Sequence, residues 1–229
     1  MIALVRFQVA GYVRSLRVLQ PLIVVALAVV LVLIQGPGGP DAAGLAVGTL
    51  GDVAAFMFPI WAWAARALLD KQPDEQRALT ATAARRPSRP TWAGLLAAYG
   101  VNMCLGVVAL AVPLLQALQV GSPGQAIWVG CALNLLVAVP ATLVGAWTSR
   151  ALIRDPVVSL LTLLGAVTAL LLLGIGRFAW LSVPMIEWLR AAHGGPSEFT
   201  SDFPAIALHL ALWSAIAGAA YIAAARHRP

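Results

Sequence analysis

The chain has a single lysine, Lys71, and it follows Asp70 rather than the glycine of a phosphate-cradling Gly-Lys-Ser/Thr turn. Nucleotide hydrolysis of that kind is therefore excluded for this chain by itself. His193, His209 and His227 do not pair at helical spacing, so neither a bis-histidine haem nor a helical zinc motif is supported. Cys104 and Cys131 each lie in an apolar run, without metal-ligand spacing or a redox neighbour, and read as small buried residues. Serines are scattered, no G-x-S-x-G occurs, and no carboxylates cluster inside the apolar runs. What remains is one dense stretch, Arg66 to Arg89, whose 24 residues carry nine of the chain's 24 charges.

In that stretch Arg66, Lys71, Arg77, Arg85, Arg86 and Arg89 oppose Asp70, Asp74 and Glu75. Pro73 stands at a first helical position, Asp74 and Glu75 fall in the first turn, and Arg85 and Arg86 fall in the last, before Pro87. Each charge opposes the local end of a helix dipole, which predicts a short helix from Pro73 to Arg86. A hydrophilic helix between two apolar runs is a natural docking point for a partner.

The elements that must hold this loop are membrane spans. With 61% hydrophobic and 10% charged residues and a mean hydropathy of +0.87, the 229-residue chain cannot cover itself with a water-compatible surface. Six apolar runs approach the roughly 20 residues a helix needs to cross hydrocarbon. They are Val18 to Gln35, Asp52 to Leu69, Trp92 to Leu118, Ile127 to Trp147, Val157 to Gly176 and Ala205 to Ala225. Trp92, Trp128 and Trp147 sit near their ends, as headgroup anchors do. The expected architecture is a single all-α membrane domain over 1–229, with no repeat and no soluble domain.

Charge sets the expected orientation, because cytoplasmic loops retain Lys and Arg. With both termini inside, 13 of the 15 basic residues are cytoplasmic, and only Arg177 and Arg190 lie outside. The net charge of +6 then reflects topology rather than nucleic-acid binding. Arg150, Arg154 and Asp155 form a second cytoplasmic connection, short enough to make the fourth and fifth spans close neighbours; it is a solvated turn or a partner contact. In the leader, 1–17, Ile2, Val5, Val9, Tyr12, Val13 and Leu16 share a helical face flanked by Arg6, Arg14 and Arg17. That pattern predicts an interfacial helix before the chain turns in at Pro21, the alternative being a cleaved signal peptide. Outside, within 177–204, Pro184 opens a short apolar segment that ends at Gly194 and Gly195, a helix in or on the outer leaflet.

Polar residues inside the runs are few. Gly48 and Gly51 place Asp52 at the outer start of the second span, the other reading being a buried carboxylate on an ion path. Asn102 and Asn134 either hydrogen-bond neighbouring helices or line a translocation path. Pro59, Pro113 and Pro140 are kinks or hinges.

The order of parts resembles an ABC transporter permease of the type-2 (ABC-2) exporter family over essentially the whole chain. The resemblance rests on the basic leader, the charged loop after the second span and the outer segment before the sixth. In the loop, Asp74, Glu75, Gln76, Arg77, Ala78, Leu79, Thr80 and Thr82, followed by Arg85, Arg86, Pro87, Ser88 and Arg89, match a helix leading through a Pro-Ser-Arg turn into the third span. The resemblance implies that 66–91 is a coupling loop, with Pro73, Asp74, Glu75, Gln76, Arg77, Leu79, Thr80, Arg85 and Arg86 against a separate ATP-binding subunit. It also implies a connecting helix over 1–17, a second permease chain, identical or related, and ATP with Mg on the partner ATPase only. This chain would have no cofactor, no metal and no catalysis of its own. It would sit as a multi-pass protein in the cell membrane, the bacterial inner membrane being the expected one, among lipids and with a hydrophobic or amphipathic cargo. The competing expectations are a stand-alone ion-coupled carrier and a membrane-embedded enzyme or scaffold.

Overall fold

The computed structural model describes residues 1–34, 36–71 and 89–226. The helix expected from Pro73 to Arg86, and with it every proposed ATPase contact from Pro73 to Arg86, lies outside the described residues, as does His227. The described chain is helical, with no strand: α1 (Ile2–Arg14), α2 (Leu19–Ile34), α3 (Ala42–Leu69), α4 (Arg89–Gln119), α5 (Gly124–Trp147), α6 (Pro156–Ile175), a 3-10 turn (Ala179–Leu181), α7 (Met185–His193) and α8 (Pro196–Arg226). Helices α3, α4, α5, α6 and α8 are long and apolar enough to cross a membrane. A sixth crossing exists only if α1 and α2, bent by 75° at their junction, count as one. The molecule is compatible with a multi-pass membrane protein.

Three boundaries depart from the sequence reading. First, α3 does not begin at Asp52 but ten residues earlier, at Ala42. Gly48 and Gly51 are not start signals; they are notches for α7. A Cβ on Gly48 would lie 2.9 Å from His193 Nδ1, and one on Gly51 would lie 2.6 Å from the Cβ of Ala192. Second, α8 starts at Pro196 rather than Ala205 and runs through Pro204, so the outer segment contributes its own turns to the last helix. Third, the chain turns at Leu16, not Pro21. Leu16 has φ 57°, a left-handed conformation that a leucine adopts only under constraint from its surroundings, and Pro21 falls in the first turn of α2. At 16 residues α2 is about 24 Å long, short of a ~30 Å hydrocarbon core.

The core centres on α3, which packs mainly on α5 and α4. Trp61, Phe58, Met57 and Leu50 are fully enclosed there. Close approach is made possible by glycine: a Cβ on Gly145 of α5 would meet Ala62 O of α3, and one on Gly130 would lie 2.6 Å from Leu50 Cδ1. By contrast α6 and α8 present mostly exposed leucine, isoleucine and valine, among them Leu161, Leu172, Leu208 and Ile216. That pattern suits lipid or another chain rather than water.

The leader divides into two strips. Val5 and Val9 pack on the core and Tyr12 is fully buried, whereas Ile2, Phe7, Val13 and Leu16 remain exposed beside Arg6, Arg14 and Arg17. So the single apolar face expected from the sequence is split. Its inner half docks on α4, and the outer half stays available to an interface.

Candidate functional site

The α3 C-terminus, where the chain enters the hydrophilic stretch, is held by a set of polar contacts that sequence reading did not find. Arg66 counts in the sequence as a loop charge, yet it lies on α3 and is only 8% exposed. Its Nε donates to Ser159 Oγ at 2.6 Å and its Nη2 to the Pro156 carbonyl at 3.0 Å. The Ser159 hydroxyl in turn donates to the Thr148 carbonyl. One turn beyond Arg66, Asp70 places a carboxylate oxygen 3.5 Å from Nε, and its other oxygen accepts the Arg150 backbone N–H at 2.6 Å. A buried guanidinium is tolerable only when it is partnered, and here a hydroxyl and a carbonyl each accept a hydrogen bond while the Asp70 carboxylate supplies the opposing charge.

The sequence places these partners together locally. Asp155 accepts from Val157 N and Val158 N at 2.8 and 2.9 Å with Pro156 next in the chain, so the α6 start is a capped N-terminus with proline at its first position. That cap sets Ser159 on the first turn, facing α3. The 148–155 connection is therefore not a free turn; Arg66 and Asp70 pin both of its ends. Arg150 and Arg154 themselves are exposed. Lys71 lies against α1, with Nζ 3.0 Å from where a Gly11 Cβ would be. The leader, α3 and the α5–α6 connection thus meet at one end of the bundle, here called the loop end.

Asn102 and Asn134 are both buried in helix seams. Asn102 Nδ2 donates to Trp61 O at 3.2 Å and to Thr142 Oγ1 at 2.9 Å, joining α4, α3 and α5. Asn134 Nδ2 donates to Leu50 O at 3.1 Å and to Gly130 O at 2.9 Å. Each ties its helix to a carbonyl of α3, and each side chain is at most 2% exposed.

Pro59 opens onto a cleft of about 340 Å³ between α3 and α6, walled by Trp63, Leu160, Leu164 and Thr168. Helix α6 is tied near the loop end through Ser159 and near its other end by Ser182 Oγ, which donates to the Leu170 carbonyl. Between those ties Leu163 is its one buried side chain.

At the opposite end, His193 Nε2 lies 2.8 Å from Asp52 Oδ1, and His209 Nδ1 lies 3.7 Å from Glu187 Oε2. Asp52 and Arg66 are 14 positions apart on α3, about 21 Å, which is less than a hydrocarbon core of ~30 Å. If α3 crosses, one of the two polar groups sits at membrane depth, and both are partnered. No cluster of three metal-ligating side chains occurs among the described residues. Comparison with protein-family models, curated proteins and solved structures finds no match to this chain.

Proposed function

We propose that this chain is the membrane-spanning subunit of an ATP-driven exporter of the ABC-2 type, working with a separate ATP-binding subunit and a second permease chain. The observation that carries the reading is the Arg66–Asp70 clasp at the root of the hydrophilic stretch. A partner that pushes on 72–88 pushes on the end of α3, and the clasp passes that displacement to α5 and α6 through Ser159, Pro156 and Arg150. Such a linkage turns a local docking event into a rigid-body tilt of several helices. The cleft at Pro59 leaves α6 room to move against α3. ATP and Mg belong to the partner in this scheme, and the cargo is hydrophobic or amphipathic.

Co-purification tests it. The intact complex should contain a nucleotide-binding chain of about 25 to 35 kDa, the size of one to two soluble domains. Reversing charge at Asp74, Glu75 and Arg77 together should release that chain while membrane insertion persists, since the other arginines still set topology. An intact complex without a nucleotide-binding chain refutes the proposal. The Asp52–His193 pair on an apolar helix favours a second reading, an ion-coupled carrier. Uptake into vesicles driven by a proton gradient in the absence of ATP would select it.

A further inference from the structure

Helix α7 is nine residues long and is anchored at the end of the bundle opposite the loop end, against α3, α8 and α6. Its inner side is apolar and closed: Met185, Trp188, Ala191 and Ala192 are buried. Its polar anchors are of one kind. To α3 it offers His193, whose Nε2 meets Asp52 Oδ1 at 2.8 Å. To α8 it offers Glu187, whose carboxylate lies 3.7 Å from Nδ1 of His209. Both anchors are histidine–carboxylate pairs, contributed in opposite sense: α7 gives the histidine to one and the carboxylate to the other.

The hydrogen-bond geometry assigns the protons. His209 Nε2 lies 3.2 Å from the Trp180 carbonyl, which can only accept, so Nε2 carries the hydrogen. In the neutral ring Nδ1 then turns a lone pair toward the Glu187 carboxylate, and no bond forms. Proton uptake at Nδ1 converts that contact into an ion pair. His193 Nε2–H donates to Asp52 in the neutral ring, and a proton taken up at its Nδ1, which faces Gly48, makes this bond charge-assisted. The other charged groups around α7 are few. Glu198 of α8 folds over Gly194, Asp202 accepts from Ser201 on its own helix, Arg190 lies on α7 itself, and α6 carries no charged residue. Glu198 thus adds negative charge over Gly194, the residue that follows His193.

We propose that α7 is a proton-operated latch: uptake of protons by His209 and His193 tightens α7 onto α8 and α3, and their loss loosens it. Imidazole is the side chain whose ordinary charge change falls between about pH 5 and 8, which sets the range for the test. The inference does not depend on the exporter reading; it concerns only how α7 is held.

The test is hydrogen–deuterium exchange of the peptide 185–195 in the full-length chain in detergent micelles, at pH 8 and pH 6, corrected for the intrinsic pH dependence of exchange. Exposed and half-exposed pairs are individually weak, so protection of α7 should rise about fivefold from pH 8 to pH 6 for the two together. The double variant H193Q/H209Q should be flat. E187Q keeps the His209–Trp180 bond and the fold while removing one charge partner, and should lose about half of the rise. Flat protection in the wild type, an undiminished rise in the double variant, or an undiminished rise in E187Q overturns the proposal.

Discussion

Replacing Arg66 by methionine keeps a helix-forming residue of similar length and removes only the guanidinium. Ser159 Oγ, the Pro156 carbonyl and the Asp70 carboxylate then each lose a donor or a neighbouring charge at a site that is nearly closed to solvent. Hydrogen bonds to charged groups contribute about 1.5–3 kcal/mol each, and breaking a buried pair costs about 3–5 kcal/mol. Asp70 keeps its bond to Arg150 N, which limits the loss. The expected cost is about 3 kcal/mol, or roughly 6–12 °C in the midpoint for a chain of this size. Arg66→Lys retains the charge but not the fork, and should cost about 1–1.5 kcal/mol. The assay is unfolding in mixed micelles by tryptophan fluorescence, run as a double-mutant cycle with Ser159→Ala. Coupling above about 1 kcal/mol is expected, because the two side chains share a bond. A loss below about 1 kcal/mol for Arg66→Met, or additivity within about 0.5 kcal/mol, would show that Arg66 does not clasp α3 to α6.

Gly145→Ala should destabilise by about 1–3 kcal/mol in the same assay, because the added methyl has no room against α3, whereas Gly165→Ala, which meets nothing within 4 Å, should gain about 0.5–1 kcal/mol. Asn102→Leu should cost about 1–2 kcal/mol through loss of the bonds to Trp61 and Thr142, with insertion unchanged; cross-linking of α3 to α4 through engineered cysteines would report the loosening. Tyr12 is pushed up to about 12 by burial, an effect that Arg17 opposes. A tyrosine released from the core ionises near pH 10. The docked leader is therefore fully stable below about pH 10 and weakens as pH rises toward 12. Tyr12→Phe should remove the highest tyrosinate step in an absorbance titration and cost no stability at neutral pH, since the buried hydroxyl has no hydrogen-bond partner among the described residues.

The helical class and the positions of most apolar elements were readable from composition and run length. The third to fifth runs begin and end within three residues of α4, α5 and α6, because a span is announced by its own residues: some 20 apolar side chains and the charges or prolines that stop them. Glycine misled where its reason was another helix. Gly48 and Gly51 resemble a turn in the linear text, and only the seating of α7 shows them to be a groove within α3. Pro204 likewise reads as a boundary but falls inside α8.

The candidate site was legible only in part. The hydrophilic stretch declared itself by charge density, and the amides of Asn102 and Asn134 by their isolation in apolar runs. The clasp did not, since it joins Arg66 to a serine 93 residues away that looks like any other in an apolar helix. The pairs Asp52–His193 and Glu187–His209 were equally silent, being 141 and 22 positions apart. What the sequence determined by itself is local: hydropathy and the charge asymmetry of the loops, each a property of neighbours in the chain. Which lone polar residue meets which was decided by tertiary structure alone, because a buried charge or amide must find its partner across a helix seam, and the seam is set by packing rather than by sequence distance.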